Sequence, residues 1–161
     1  MIDIYAQPTE QENQSQSQRE LSADEKLVEV ENQLLIQRDI WGVKIIDLVK
    51  KIKNINELND AQVDMLSYRH MIVELLTKYR IRVRKTQTTC EKQFKSKFIG
   101  YFNYDYKIND KQKVDMVNAD LYFYRLQLGL LESQVDFFKE CVSTLDKMGF
   151  AIKNRVNFEE I

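Results

Sequence analysis

One proline and four glycines among 161 residues leave little material for tight turns. All-β folds need many more residues of that kind at their hairpins. Gly42, Gly100, Gly129 and Gly149 stand far apart, so neither a phosphate-cradling loop nor a dinucleotide fingerprint can be assembled from them. The two cysteines, Cys90 and Cys141, have no CxxC spacing; they read as buried thiols in a reducing compartment rather than a disulfide or a metal site. The single histidine, His70, sits beside Arg69 and reads as a helix-surface or interface residue. HExxH, an acidic calcium loop and Glu-x-x-His are all missing, and the adjacent Glu159 and Glu160 lie on a terminus rather than across a pocket. Nucleophilic and metal catalysis both lack raw material, and no cofactor is expected. No apolar run approaches the roughly 20 residues of a membrane span, and the polar N-terminus has no signal-peptide core. The expectation is a cytoplasmic binding and assembly module that touches no membrane.

Apolar residues make up 43% of the chain, enough for a core, and Lys, Glu, Gln, Leu and Asp are abundant. That mixture favours helix. The net charge of −1 conceals an asymmetry. Between Arg69 and Lys97 nine bases face only Glu74 and Glu91, so this stretch carries +7 and the remainder −8. A local basic patch on an acidic chain is the pattern of a localised anion-binding surface.

Along the chain, residues 1–21 are rich in Gln, Ser and Glu and nearly devoid of apolar side chains after Tyr5, so they are expected to form a disordered tail. Ser22 with Glu25 makes a capping box for a first helix, 22–54, in which Leu27, Leu34, Trp41, Leu48 and Ile55 recur every seven residues. A second track through Ile45 and Ile52 is broken at Glu31 and Arg38. Asn59 with Gln62 suggests the start of a second helix, 59–97, with Val63, Leu66, Ile72, Leu75, Leu76 and Tyr79 on its apolar face. Tyr79–Arg84 alternates apolar and basic, a strand period, but no turn signal interrupts it and a continued helix is preferred. An aromatic loop, 98–108, leads to a third capping box at Asn109 and Gln112. In the helix it opens, 109–148, Val114, Val117, Leu121, Tyr124, Leu128, Leu131, Val135, Phe138, Val142 and Leu145 alternate spacings of three and four, a coiled-coil seam. Phe123, Leu130, Phe137 and Cys141 widen its apolar face. Gly149 reads as the helix stop, leaving 149–161 as an apolar docking segment. The expectation is one all-α domain over 22–161, a helical hairpin plus a long coiled-coil-like helix, with antiparallel neighbours and an elongated shape. Its leftover apolar surface should make a homo-oligomer, with Leu128, Leu131, Val135, Phe138, Phe150, Ile152 and Phe158 as the assembly residues.

Proteins that hold single-stranded nucleic acid combine a positive groove with stacking rings. Arg80, Arg82, Arg84, Lys85, Lys92, Lys95 and Lys97 supply the cations, and Tyr101, Phe102 and Tyr104, with Tyr106, can supply the rings. On a helix Lys95 and Lys97 diverge by roughly 200°, so they flank a strand rather than share one phosphate; a helix ending near Lys95, with the motif extended, would splay them as well. The competing explanation is a solvated basic face beside aromatics that close the hairpin core. A purely structural or scaffolding subunit would need no such concentration of charge.

Two segments resemble one family. Phe94-Lys95-Ser96-Lys97-Phe98, followed closely by Tyr101-Phe102, is similar to the apolar–Lys–small–basic–apolar motif and aromatic pair of the UvsY recombination mediators of large tailed phages. Val135-Asp136-Phe137, then Gly149-Phe150-Ala151-Ile152-Lys153-Asn154 and Phe158, resembles that family's C-terminal signature. The likeness spans roughly residues 75–160, with one extra residue between motif and aromatic pair, and leaves the first 58 residues without a counterpart. It implies closed rings of identical subunits that bind single-stranded DNA through the basic motif. It further implies that they loosen a single-strand-binding protein and load a RecA-like recombinase, with no chemistry catalysed.

Overall fold

The computed structural model describes residues 22–102 and 108–159, and the side chains of these up to residue 156. The regular structure among them is entirely helical: α1 (Ala23–Lys53), a 3-10 turn (Ile55–Glu57), α2 (Leu58–Phe102), α3 (Asp110–Asp120) and α4 (Tyr122–Glu159). The all-α expectation holds. The tail 1–21 and the segment 103–107 lie outside the described residues.

Ser22 caps α1 through the expected box: its hydroxyl accepts from the Glu25 amide at 3.2 Å and Glu25 accepts from the Ser22 amide at 2.8 Å. Asn54 closes the turn that follows. Its side-chain oxygen accepts from the Asn56 amide and its amide donates to Glu57. Because Asn54 does this, α2 begins at Leu58, and Asn59 is an internal residue rather than the expected cap. So short a connection folds α1 back along α2 as an antiparallel hairpin. Contacts step up one helix as they step down the other: Lys51 to Asp64 at 2.6 Å, Trp41 edge-on to Tyr68, and the Tyr79 hydroxyl donating to Gln37 at 2.9 Å. α4 runs antiparallel to α2 by the same criterion, through Arg69–Asp146 at 2.7 Å and Tyr79 against Phe138, and Lys97–Asp120 at 2.7 Å, from the end of α3, continues the series. It therefore runs parallel to α1.

The core follows seams of three and four. Leu34, Trp41 and Leu48 come from α1, and Leu131, Val135, Phe138, Cys141, Leu145 and Ile152 from α4. From α2 come Leu58, Ala61, Met65, Ile72, Leu76 and Tyr79. At the start of α2 this face differs from the expected one: Val63 and Leu66 point to solvent, and the smaller Ala61 and the pliable Met65 take the inward positions. Arg38, which interrupts the second track of α1, is spent inside the bundle. It donates from Nε to the fully buried Gln134 and from Nη2 to Ser133, both at 2.8 Å, with its guanidinium 5.5 Å from the Phe137 ring centre. Gln134 Nε2 has no hydrogen-bond partner among the described residues.

Three expected boundaries change. α2 runs to Phe102, because Gly100 takes an ordinary helical backbone, so residues 98–102 are helix rather than loop. The helix expected over 109–148 is two helices. Asn109 and Gln112 cap the first as foreseen, and the second begins after a kink at the buried Leu121 (φ −97°, ψ 6°). The kink follows the poor helix formers Asn118 and Asp120, and Asp120 is drawn sideways to α2. Finally, α4 does not stop at Gly149 but continues to Glu159. Gly149 serves close approach: a Cβ there would lie 3.3 Å from Met65 Sδ. The residues beyond it thus extend α4 rather than form a separate docking segment. Ile152 is buried in this chain's own core, and Arg155 donates to the Ile52 carbonyl at 2.6 Å, satisfying an orphan group at the C-terminus of α1.

Candidate nucleic-acid interface

The second half of α2 carries no buried residue after Tyr79. Its inward seam continues as Val83, Thr86, Cys90, Phe94, Lys97 and Tyr101, all half-buried. The threonines that weaken helix propensity here are accommodated by back-bonding: Thr88 donates to the Arg84 carbonyl and Thr89 to that of Lys85.

Of the nine bases between Arg69 and Lys97, two form ion pairs among the described residues. Arg69 is paired with Asp146, and Lys97 with Asp120. Arg80 lines the α2–α4 groove with Glu132, Asp136 and Lys139. The guanidinium of Arg82 lies 5.2 Å from the Tyr79 ring centre. Lys78, Arg84, Lys85, Lys92 and Lys95 are exposed, and none of them forms an ion pair among the described residues. They share one face. Lys78, Lys85 and Lys92 recur every seven residues, about 10.5 Å apart. Arg84 and Lys95 run alongside, with Ile81 and Thr88 between the two rows. Five unneutralised cations over about 25 Å of helix make a strip of positive potential that attracts a polyanion. Lys78 is absent from the expected site residues, although its seven-residue register with Lys85 and Lys92 is legible in the sequence.

The end of the strip is aromatic. Phe94 and Phe98 stack with centroids 6.0 Å apart and planes at 13°. Beside Phe94 lies an apolar hollow of about 200 Å³, lined also by Cys90, Glu91, Lys95 and Arg125. Phe102 is 70% exposed, with the Lys113 ammonium 4.7 Å from its ring centre.

Lys97 and Tyr101 face inward. One Asp120 carboxylate oxygen accepts from the Lys97 ammonium at 2.7 Å and from the Tyr101 hydroxyl at 3.0 Å. The hydrogen bond from Lys97, and then that from Tyr101, hold the Asp120 carboxyl below the usual aspartate value. The bond to Asp120 in turn raises Lys97 above the usual lysine value. Lys95 and Lys97 therefore diverge as helical geometry requires, one to solvent and one into a knot that pins α2 to the α3–α4 kink. Tyr104 lies outside the described residues.

Among the expected assembly residues, Leu131, Val135, Phe138 and Ile152 are buried within the chain itself and Leu128 is half-buried; of the ten seam positions six are buried and four half-buried. Phe150 is 70% exposed, and the Phe158 side chain lies outside those described. Buried Cys141 has its thiol pushed up by burial and then by Glu140, the opposite of an activated nucleophile. His70 is an exposed partner of Glu74 at 3.5 Å. Among the described residues no three His, Cys, Asp or Glu side chains are grouped to hold a metal, and no helix is long and apolar enough to cross a membrane. Comparison with family models, curated proteins and solved structures finds no match.

Proposed function

We propose that the chain is a non-enzymatic binding protein for single-stranded DNA. The observation that carries this reading is the strip Lys78, Arg84, Lys85, Lys92 and Lys95: five exposed cations on one helical face, without ion-pair partners among the described residues. Such a strip adds nothing to folding and costs self-repulsion, so a polyanion is its natural counterpart. The aromatic end at Phe94, Phe98 and Phe102 supports single strands over duplex, because unstacked bases can lie on ring faces. Lys97 and Tyr101 act in this reading by holding the aromatic end in place. The likeness of Phe94–Phe98 and Gly149–Asn154 to the UvsY mediators supplies the narrower assignment. In it, an elongated chain assembles into a ring-like homo-oligomer in the cytoplasm and loads a RecA-like recombinase onto DNA covered by single-strand-binding protein. Fluorescence anisotropy with labelled oligo-dT at two salt concentrations tests the binding. A steep loss of affinity with salt is expected; salt-insensitive or undetectable binding contradicts it.

A second reading, a helical structural or scaffolding subunit, draws on the apolar surface that α1 turns to solvent. It gives no role to the basic strip, and the oligo-dT experiment separates the two.

A further inference from the structure

α1 is apolar on two opposite faces. Leu34, Trp41 and Leu48 enter the core, while Val28, Leu35, Ile36, Ile40, Val43 and Ile46 are each between 48% and 60% exposed. The outer six stretch along about 27 Å of helix, more than the single scattered hydrophobics that a monomer surface normally carries. Charge is divided along the same helix. From Ala23 to Asp39 it has five acids and two bases, and Arg38 is turned inward to Gln134. From Ile40 to Lys53 it has four bases and one acid. Lys51 is tied to Asp64 and Lys44 lies over Trp41, which leaves Lys50 and Lys53 outward at the basic end. Lys50 makes only an exposed pair with Asp47.

We infer that this face docks on the same face of a second copy, with the two α1 helices antiparallel. That orientation sets the acidic beginning of each helix against the basic end of the other, with Ile36, Ile40 and Val43 at the crossing. A parallel pair would set acid on acid and base on base. The contact is isologous, so every favourable pair occurs twice. The chain's own N-terminal segment is a poor occupant, since Ala6 and Pro8 are its only non-polar residues between Tyr5 and Leu21. The pairing rests on α1 alone and is independent of DNA binding.

Sedimentation equilibrium on the full chain tests it. The wild type associates with an even number of copies. The Ile36→Glu, Ile40→Glu variant, altered only at exposed positions, keeps its helicity while self-association weakens at least tenfold. Glu29→Lys weakens association roughly two- to tenfold, as expected for exposed ion pairs lost twice over. Adding Lys50→Glu to the same chain restores it, because the swapped helix is again complementary to itself. A monomeric wild type, an odd-membered ring, or association unchanged in the isoleucine variant overturns the pairing. Failure of Lys50→Glu to restore the Glu29→Lys variant overturns its antiparallel sense.

Discussion

The two halves of α2 are one unbroken helix with the same seam spacing, yet they are built for different tasks. From Leu58 to Tyr79 the seam holds six buried residues between α1 and α4, with Tyr68 half-buried, and the outward charges are few. From Arg80 to Phe102 the seam holds a threonine, a cysteine and a paired lysine, and the outward face collects the cations. The first half has strong apolar burial; the second has little, and it carries four of the five cations of the strip, with Lys78 standing just before it. Continuing a stiff helix beyond its core presents charged side chains on a rigid element, which fixes their spacing more firmly than a loop does.

The largest difference is expected when an aromatic packed against the first half is removed and compared with one carried by the second. Phe138 is fully buried against Tyr79. Phe138→Ala should cost about 3–5 kcal/mol in urea or thermal unfolding. Phe94 is half-buried in the second half, and Phe94→Ala should cost less than about 2 kcal/mol. Equal losses would mean that the second half is as tightly built as the first. Truncation after residue 148 should also destabilise the first half, because it removes buried Ile152 and the Arg155 bond to the α1 terminus.

The knot at Asp120 sharpens the contrast through pH. Its carboxyl is held below the ordinary value of 3.8, so its contribution to stability is complete above about pH 4 and disappears as pH falls through the lowered folded value. Lys97 is raised above 10.5, so its share is complete below about pH 10 and disappears as pH rises through the raised value. Asp120→Asn should therefore melt below the wild type at pH 7, and the gap should narrow as pH falls below about 4. A gap that does not change with pH would assign the effect to something other than the ion pair.

The smallest expected effect is at Gly149. Alanine gains about 1 kcal/mol of helix propensity there, while the flexible Met65 thioether must give by a few tenths of an ångström. Gly149→Ala should change stability by less than about 1 kcal/mol in a melt. A much larger loss would show that Met65 cannot move.

What the sequence made legible was local. The capping boxes at Ser22 and Asn109 are signals contained within one helical turn, and the three-four seam from Val114 to Leu145 is a local pattern that survives the break between α3 and α4. What escaped depends on contacts distant in sequence. Met65 turns Gly149 from a stop into a spacer 84 residues away. Asp120, on another helix, takes Lys97 out of the basic strip and accompanies the kink at Leu121. The larger Val63 and Leu66 masked the true seam through Ala61 and Met65, since side-chain size alone does not say which face is inward. In the candidate site, the stretch of basic residues was readable, but the division between free and committed cations was not, because the committing acids lie on α3 and α4.

That division is the central claim, and the most direct measurement compares two variants in oligo-dT binding as salt is varied. Lys78→Ala, Lys85→Ala, Lys92→Ala removes three free cations, while Lys97→Ala removes one already neutralised by Asp120. The account predicts that the triple variant loses at least tenfold in affinity, and that the slope of log affinity against log salt falls by about 2, at ~0.7 per phosphate contact. Lys97→Ala should leave the slope within about 0.3 of the wild type, below the ~0.7 of a single contact. An unchanged slope in the triple variant, or a larger change from Lys97→Ala, would contradict it.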